Sequence, residues 1–399
     1  MPAPTIHDAI AHFQNGRLQE SESIYLLLLQ RQPDDVNALH FFGVLRAKQG
    51  RRDEAVQLIK RSLSLSPRNP DAWNNLGNVL LAGNDTKGAE LAYTNATNQK
   101  PEYAEAWYNL ANLLRQARRR DEAARCYQKV LALNPRFAGA YENIALLFLR
   151  IGRPDLAADT YRRWVAAEPA NAIARHMAAA YSNSGTPQRA DDEYVAKVFD
   201  RFADTFESTL ANLNYAAPGL LVAALTELIP FAERKLDVLD AGCGTGLCGP
   251  LLRSTARKLV GVDLSAGMLA KARERGVYDE LVEAELVTFM RARPRSYDVV
   301  ISADTLVYFG ALEEAMGATA TALKPGGVLA FTLEAQPVGS PEKFRLNTSG
   351  RYSHSAEYAR ECLEAAGFTV LLIEGAVLRQ ERGADVLGHV VTARSSGAR

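Results

Sequence analysis

A chain of 399 residues is too long for one ordinary hydrophobic core, so at least two domains are expected. Lysine plus arginine (46) balances aspartate plus glutamate (46), which removes the cationic field that recruits nucleic acid. No stretch approaches the roughly 20 apolar residues of a membrane span, MPAPTIHDAIAHF lacks a basic segment followed by an apolar run, and Cys126, Cys243, Cys248 and Cys362 form no C-x-x-C, so a cytoplasmic protein with reduced thiols and no metal site is expected.

Prolines recur at Pro33, Pro67, Pro101, Pro135 and Pro169 with a period of 34. In the same phase stand large residues (Leu39, Trp73, Trp107, Tyr141), small ones (Gly43, Gly77, Ala111, Ala145), alanines (Ala55, Ala89, Ala123, Ala157) and bulky partners four further on (Ile59, Tyr93, Tyr127, Tyr161). Each period reads as two amphipathic helices that small residues let approach and a proline ends. This pattern resembles the tetratricopeptide repeat (TPR) family over residues 2 to 182, and that resemblance implies an all-α solenoid whose concave face binds a protein or peptide. The unit at 2–35 has Ser21 and Asp8 at positions that suit small or apolar residues, so a degenerate capping repeat is expected there. Asn75, Asn109 and Asn143 also lie 34 apart, although Phe41 breaks the row. Their amides either hold the backbone of an extended peptide, as in the asparagine row of the O-linked N-acetylglucosamine transferase that they resemble, or hydrogen-bond the neighbouring repeat.

After Pro169, NAIARHMAAAYSN reads as one more helix closing the array, and SGTPQRADDEYVAKVF opens a new one, with a break at Gly185 and a capping residue at Thr186. The domains expected are therefore an array over 1–185, linking or lid helices over 186–233, and an α/β domain over 234–399. In the last, the runs KLDVLD, KLVGVDL, ELVEAEL, YDVVISAD, GGVLAFTLE, FTVLLIE and GHVVTAR alternate with helical segments, which builds a mostly parallel seven-stranded sheet with ligands at the strands' carboxyl ends.

The loop DAGCGTGLCG can be read in two frames. From Gly244 it is G-x-G-x-x-G, the dinucleotide signature, but that frame begins too late, because the strand KLDVLD ends at Asp240 and the first glycine after it is Gly242. Read from the strand, LDVLDAGCGTG resembles motif I of the class I S-adenosylmethionine-dependent methyltransferases, whose fold is Rossmann-like. Gly242, Gly244 and Gly246 leave the turn without side chains, so that a ligand can lie against its backbone. The resemblance implies S-adenosylmethionine as cofactor and S-adenosylhomocysteine as product. It assigns Asp240 to the cofactor's ammonium, Asp263 of VGVDLS to its ribose hydroxyls and Glu285 of VEAEL to its adenine, with Cys243, Leu264, Met268 and Leu286 completing the set. Upstream, FDRFADTFESTL resembles a segment that folds over the cofactor in many such enzymes, which makes Phe202 and Phe206 water-excluding residues. With the later SGRYSHSAEY, nearly the whole chain resembles bacterial TPR-containing predicted methyltransferases.

Methyl transfer is an in-line displacement in which alignment and a dry site matter most, and an oxygen or nitrogen acceptor can need a base. The candidates are Asp304 after the fourth strand, and Tyr352 and His354 after the fifth; His389 is read as structural. No N/D-P-P-Y sequence follows the fourth strand and no metal-binding carboxylate cluster is evident, which disfavours adenine, cytosine and catechol acceptors. The expectation is a methyltransferase of a protein or peptide-borne acceptor presented by the array. The alternatives are a methyltransferase of a small free metabolite and an adaptor that binds cofactor without turnover. The oligomeric state stays open.

Overall fold

The computed structural model describes residues 3–182, 185–229, 234–337, 339–381 and 383–396. It divides into two compact units, Met1–Glu168 and Pro169–Arg399.

In the first unit ten helices are found among the described residues, in five consecutive pairs: α1 (Ile6–Gln14) with α2 (Leu18–Arg31), α3 (Val36–Lys48) with α4 (Arg52–Leu65), α5 (Pro70–Ala82) with α6 (Thr86–Gln99), α7 (Ala104–Gln116) with α8 (Arg120–Leu133), and α9 (Ala138–Arg150) with α10 (Pro154–Ala167). Each pair packs on the next. The period-locked residues explain the closeness: a Cβ added at Gly77 would lie 2.5 Å from the Tyr93 ring, and the alanines at 55, 89, 123 and 157 are fully buried. Tyr93 and Tyr127 then donate their hydroxyls to Asn78 Oδ1 (2.8 Å) and Asn112 Oδ1 (2.6 Å). The first pair is regular despite its sequence. Ser21 is buried and donates Oγ to Ala9 O at 2.8 Å, and Asp8 closes a capping box with Thr5 at the start of α1.

The asparagine row is wired between repeats. Asn75 Nδ2 donates to His40 Nε2 (2.9 Å), Asn109 Nδ2 to Asn74 Oδ1 (2.9 Å), and Asn143 Nδ2 to Tyr108 Oη (3.0 Å) and Asn112 Oδ1 (3.1 Å). Each amide nitrogen thus serves the preceding repeat, and what a ligand could still use is the amide oxygen.

The second unit begins with α11 (Ala172–Ala180), the helix that the sequence reading gives to the array. Here it packs on α12 (Asp192–Phe202), and His176 Nε2 donates to Gly350 O at 2.8 Å. Then come α13 (Phe206–Ala211) and α14 (Ala217–Thr226). Residues 230–233, which hold the expected boundary at 233, lie outside the described residues.

Strands β1 (Leu236–Ala241), β2 (Ala256–Asp263), β3 (Glu280–Glu283), β4 (Tyr297–Ser302) and β5 (Leu323–Ala335) pair in parallel in the order β3-β2-β1-β4-β5. Between them and after them run α15 (Gly249–Leu252), α16 (Ala266–Glu274), α17 (Leu286–Arg291), α18 (Glu313–Ala322) and α19 (Ala356–Ala365). A short hairpin, β6 (Phe344–Leu346) and β7 (Tyr352–His354), extends the end of β5 and was not expected from sequence, where it reads as a loop. Last, β9 (Ala384–Ser395) pairs antiparallel with β5 and carries β8 (Phe368–Glu381) on its far side. The expected seven strands are thus present, with this hairpin in addition.

Alternate residues of the central strands point to opposite faces. Val238, Leu259, Val299 and Ile301 pack with Leu221 and Leu225 of α14, whereas Leu239, Val260, Val300 and Leu329 face α17, α18 and α19. The strand order reverses between β1 and β4, which opens a crevice beyond their carboxyl ends.

Candidate functional site

A cavity of about 360 Å³ lies at that crevice. One end is built by the glycine loop after β1. Gly242 has φ +76° and a Cβ there would strike Thr305, whose Oγ1 instead donates to Gly242 O at 3.1 Å. Gly244 has φ +54° and a Cβ there would meet no atom within 4 Å, so its open face belongs to the cavity it lines. Beside it Thr245 Oγ1 is buried without a hydrogen-bond partner among the described residues.

Two carboxylates flank the loop. Asp240, at the end of β1, accepts from the Tyr278 hydroxyl at 2.6 Å; burial pushes its carboxyl up to about 7, against the pull of that hydrogen bond. Asp263, at the end of β2, accepts from the amides of Gly244 (2.8 Å) and Ser265 (2.9 Å), and burial raises it too. Glu285 caps α17 by accepting from the amides of Val287 and Thr288, and pairs with Arg189 at 2.9 Å. Burial acts to raise Glu285, and these donors outweigh it, holding its carboxyl below the ordinary range.

The cavity's cover comes from α12 and α13. Phe202 and Phe206 line it, with ring centroids 5.4 Å apart, and Phe199 meets Tyr308 edge-on at 5.4 Å. Asp200, on the other side of α12, accepts from Ser265 Oγ (2.6 Å) and the Gly267 amide (3.0 Å), which ties the cover to the start of α16.

The opposite end is lined by Asp304, Tyr215, Tyr308, Arg351 and Arg379, joined by Ser349 and Glu381. Arg379 donates to Asp304 (2.6 Å), to Glu381 (2.7 Å) and to Glu334; Arg351 donates to Glu334 (2.5 Å) and Glu381 (2.6 Å). Burial raises the Asp304 carboxyl, against Arg379. Its two oxygens accept from Arg379 and Thr332, an arrangement that fixes a guanidinium rather than one that awaits a proton.

The structure brings together Phe202, Asp240, Gly242, Cys243, Gly244, Asp263, Leu264, Glu285, Leu286 and Asp304 as cavity-lining residues. It separates four others from that wall. Gly246 turns to the Tyr278 ring, 2.8 Å from where its Cβ would stand, and Met268 is fully buried in α16. Tyr352 is fully buried with its hydroxyl on Pro187 O at 2.9 Å. His354 is fully buried as well, its Nε2 donating to Gly310 O at 3.0 Å, and burial lowers it to about 4. Both sit in β7 with side chains turned into the packing, so the expectation that they act on an acceptor is corrected. Sequence reasoning missed Tyr215, Tyr308, Arg351 and Arg379, which come from the turn before α14, the turn after β4, the turn before β7, and β8, and share no local spacing. The one available signal was charge buried in strands: the arginine of VLRQE in β8 stands 3% exposed.

Residues 213–373 match the family model described as a methyltransferase domain, and residues 42–104, 78–124 and 108–172 match that of the tetratricopeptide repeat. A human protein named methyltransferase-like protein 27 is 31% identical over 177 residues, covering 42% of this chain and 65% of its own. A malonyl-[acyl-carrier protein] O-methyltransferase of Enterobacter lignolyticus is 34% identical over 142 residues, 36% of this chain and 54% of its own. A probable S-adenosylmethionine-dependent methyltransferase of Saccharomyces cerevisiae is 27% identical over 196 residues, 46% of this chain and 65% of its own. The chain thus spans between half and two thirds of these relatives' lengths.

Proposed function

We propose that this chain, a tetratricopeptide array followed by an S-adenosylmethionine-dependent methyltransferase domain, is an enzyme that methylates a protein or peptide-borne acceptor recruited by the array. The observation that carries the reading is the side-chain-free face of the glycine loop, open to the cavity between two strand-end carboxylates, Asp240 buried and Asp263 half-buried. Those residues fit the cofactor. Asp263 suits the two ribose hydroxyls, Asp240 the ammonium, Glu285 and Leu286 the adenine edge, and the loop amides with the unpartnered Thr245 hydroxyl suit the carboxylate. When bound, the cofactor supplies a methyl group on a positively charged sulfur. Phe202 and Phe206 keep water from that end.

For the acceptor, Arg351 and the hydroxyls of Tyr215 and Tyr308 are hydrogen-bond donors at the far end, and they suit an acceptor that presents oxygen. Such an acceptor, if a carboxylate, needs no base, in keeping with the engaged oxygens of Asp304. The malonyl-[acyl-carrier protein] relative acts, by its name, on a small group carried by a protein, which supports a protein-borne acceptor here. The array supplies the recruiting surface, along which the amide oxygens of Asn75, Asn109 and Asn143 meet the amides of a peptide. Among the described residues no helix is long and apolar enough to cross a membrane, and four free, buried cysteines suit a reducing cytoplasm.

The test is calorimetric titration with S-adenosylmethionine and S-adenosylhomocysteine, with NADH as control. Asp263→Ala should weaken both sulfur ligands by at least about tenfold, because a charge-assisted hydrogen-bond acceptor for the ribose is lost. Binding of NADH alone would overturn the reading. Transfer of a tritiated methyl group to cell proteins by the full chain, and not by residues 169–399, would support recruitment by the array.

A further inference from the structure

Tyr278 stands in the turn between α16 and β3, behind the glycine loop and outside the cavity wall. Three glycines make room for its ring. A Cβ at Gly246 or Gly249 would lie 2.8 Å from the ring, and one at Gly261 would lie 3.1 Å from it. The loop, the start of α15 and the middle of β2 therefore close around one phenol. From the same turn Arg275 donates Nε to Thr245 O at 2.6 Å and pairs with Glu207 of α13 at 2.6 Å.

The Tyr278 hydroxyl donates to Asp240 Oδ2 at 2.6 Å, and no other protein donor reaches Asp240 among the described residues. A carboxylate held by one oxygen on a packed ring keeps a single orientation, with Oδ1 left for a ligand. We propose that Tyr278 is a positioning residue for the amino-acid end of the bound cofactor: its hydroxyl orients the Asp240 carboxylate that meets the cofactor's ammonium. The proposal rests on the cofactor reading above and adds a residue to it that never touches the ligand.

The titratable groups within electrostatic reach of Asp240 are Asp263 at the end of β2, Cys243 in the loop, Cys248 ahead of α15, Tyr278 and, from the cavity's far end, Tyr215 ahead of α14. Burial pushes both thiols and both phenols up, so they face it as neutral groups. Burial and Asp263 raise Asp240, and the Tyr278 hydrogen bond opposes them. Without that hydroxyl Asp240 takes its proton at higher pH, and a protonated Asp240 no longer pairs with an ammonium.

The test compares two ligands on the full chain: S-adenosylhomocysteine, and 5′-methylthioadenosine, which keeps the adenine and ribose and lacks the amino-acid end. Tyr278→Phe should weaken S-adenosylhomocysteine about tenfold near pH 7, as expected for a lost hydrogen bond to a charged group. Part of that loss should be recovered between pH 7 and about pH 8, before the ligand's own ammonium loses its proton, because the acid limb of binding moves up, while methylthioadenosine binds the variant and the wild type alike across that range. In an Asp240→Asn background, Tyr278→Phe should change neither ligand further; should Tyr278→Phe be poorly stable, Asp240→Asn alone should weaken S-adenosylhomocysteine and spare methylthioadenosine, and equal weakening of both would overturn the role given to Asp240. Equal weakening of both ligands would overturn the proposal by showing plain support of the loop, and so would no weakening of either. A wild-type chain that binds neither ligand overturns the cofactor reading and this one together, a result distinct from both.

Discussion

The imidazole of His354 takes up a proton only near pH 4, because it is fully buried with Nε2 on the Gly310 carbonyl. Its ordinary value is 6.5, so between the two the unfolded chain binds a proton that the folded chain refuses. The share of stability this represents is fully present above pH 6.5 and shrinks as pH falls toward 4. At about 1.4 kcal/mol per pKa unit, wild type should lose about 2 kcal/mol more than His354→Gln between pH 7 and pH 5, read by chemical denaturation. S-adenosylhomocysteine affinity near neutral pH should stay the same in the variant; a loss of binding would return His354 to the site. The contrast with Asp240 and Asp263 shows which single residues a sequence exposes. An acidic residue at a strand's end, with glycine or serine two positions on, is defined by neighbours in the chain. Whether His354 faces the cavity or the packing depends on Gly310 and on a hairpin formed with residues 344–346, and neither lies within its local pattern.

At the scale of elements, α12 and α13 are amphipathic and short, and their attachment decides what they do. Asp200 holds α12 to the start of α16 through Ser265 Oγ and the Gly267 amide, and Glu207 holds α13 through Arg275. The aromatic residues of these helices cover the cavity, so loosening the tie should let a ligand escape faster while leaving the sheet intact. Asp200→Ala is expected to raise the dissociation rate of S-adenosylhomocysteine about tenfold, the worth of a hydrogen bond to a charged group, with the association rate nearly constant in stopped-flow fluorescence. An unchanged dissociation rate would mean that the cover plays no part in retention. The segment's placement was legible only through its resemblance to a segment that folds over the cofactor in many methyltransferases, since the helical spacing of the aromatic residues in FDRFADTF suits any amphipathic helix. The arginine network was not, since Arg379, Arg351, Glu334 and Asp304 meet only when β8, β5, the residue before β7 and the turn after β4 converge.

At the scale of the whole molecule, the repeat period reads straight from the chain because each helix pair contacts its neighbours in sequence, and the parallel sheet reads from alternating runs of residues. The place where one unit ends is harder to read, since a helix with small residues can close an array or open the next unit equally well. Here α11 stays with the second unit through long-range contacts. His176 stacks on Tyr194 at 3.9 Å, meets Tyr352 edge-on at 6.2 Å and donates to Gly350 O. Arg175 also pairs with Asp191 at 2.6 Å. Gly350 has φ +81° and sits in the loop that presents Ser349 and Arg351 to the cavity, so α11 supports the end of the site assigned to the acceptor. A fragment of residues 169–399 should accordingly unfold in one cooperative step and bind S-adenosylhomocysteine as the full chain does. A fragment of residues 186–399 lacks His176 and the apolar residues around it, and should be less stable by about 3 kcal/mol, the burial of one or two large side chains. Thermal melts of the two fragments, each with and without the ligand, measure this directly. Equal melting temperatures would show that α11 rests on the second unit without stabilising it, and would move the working boundary back to Gly185.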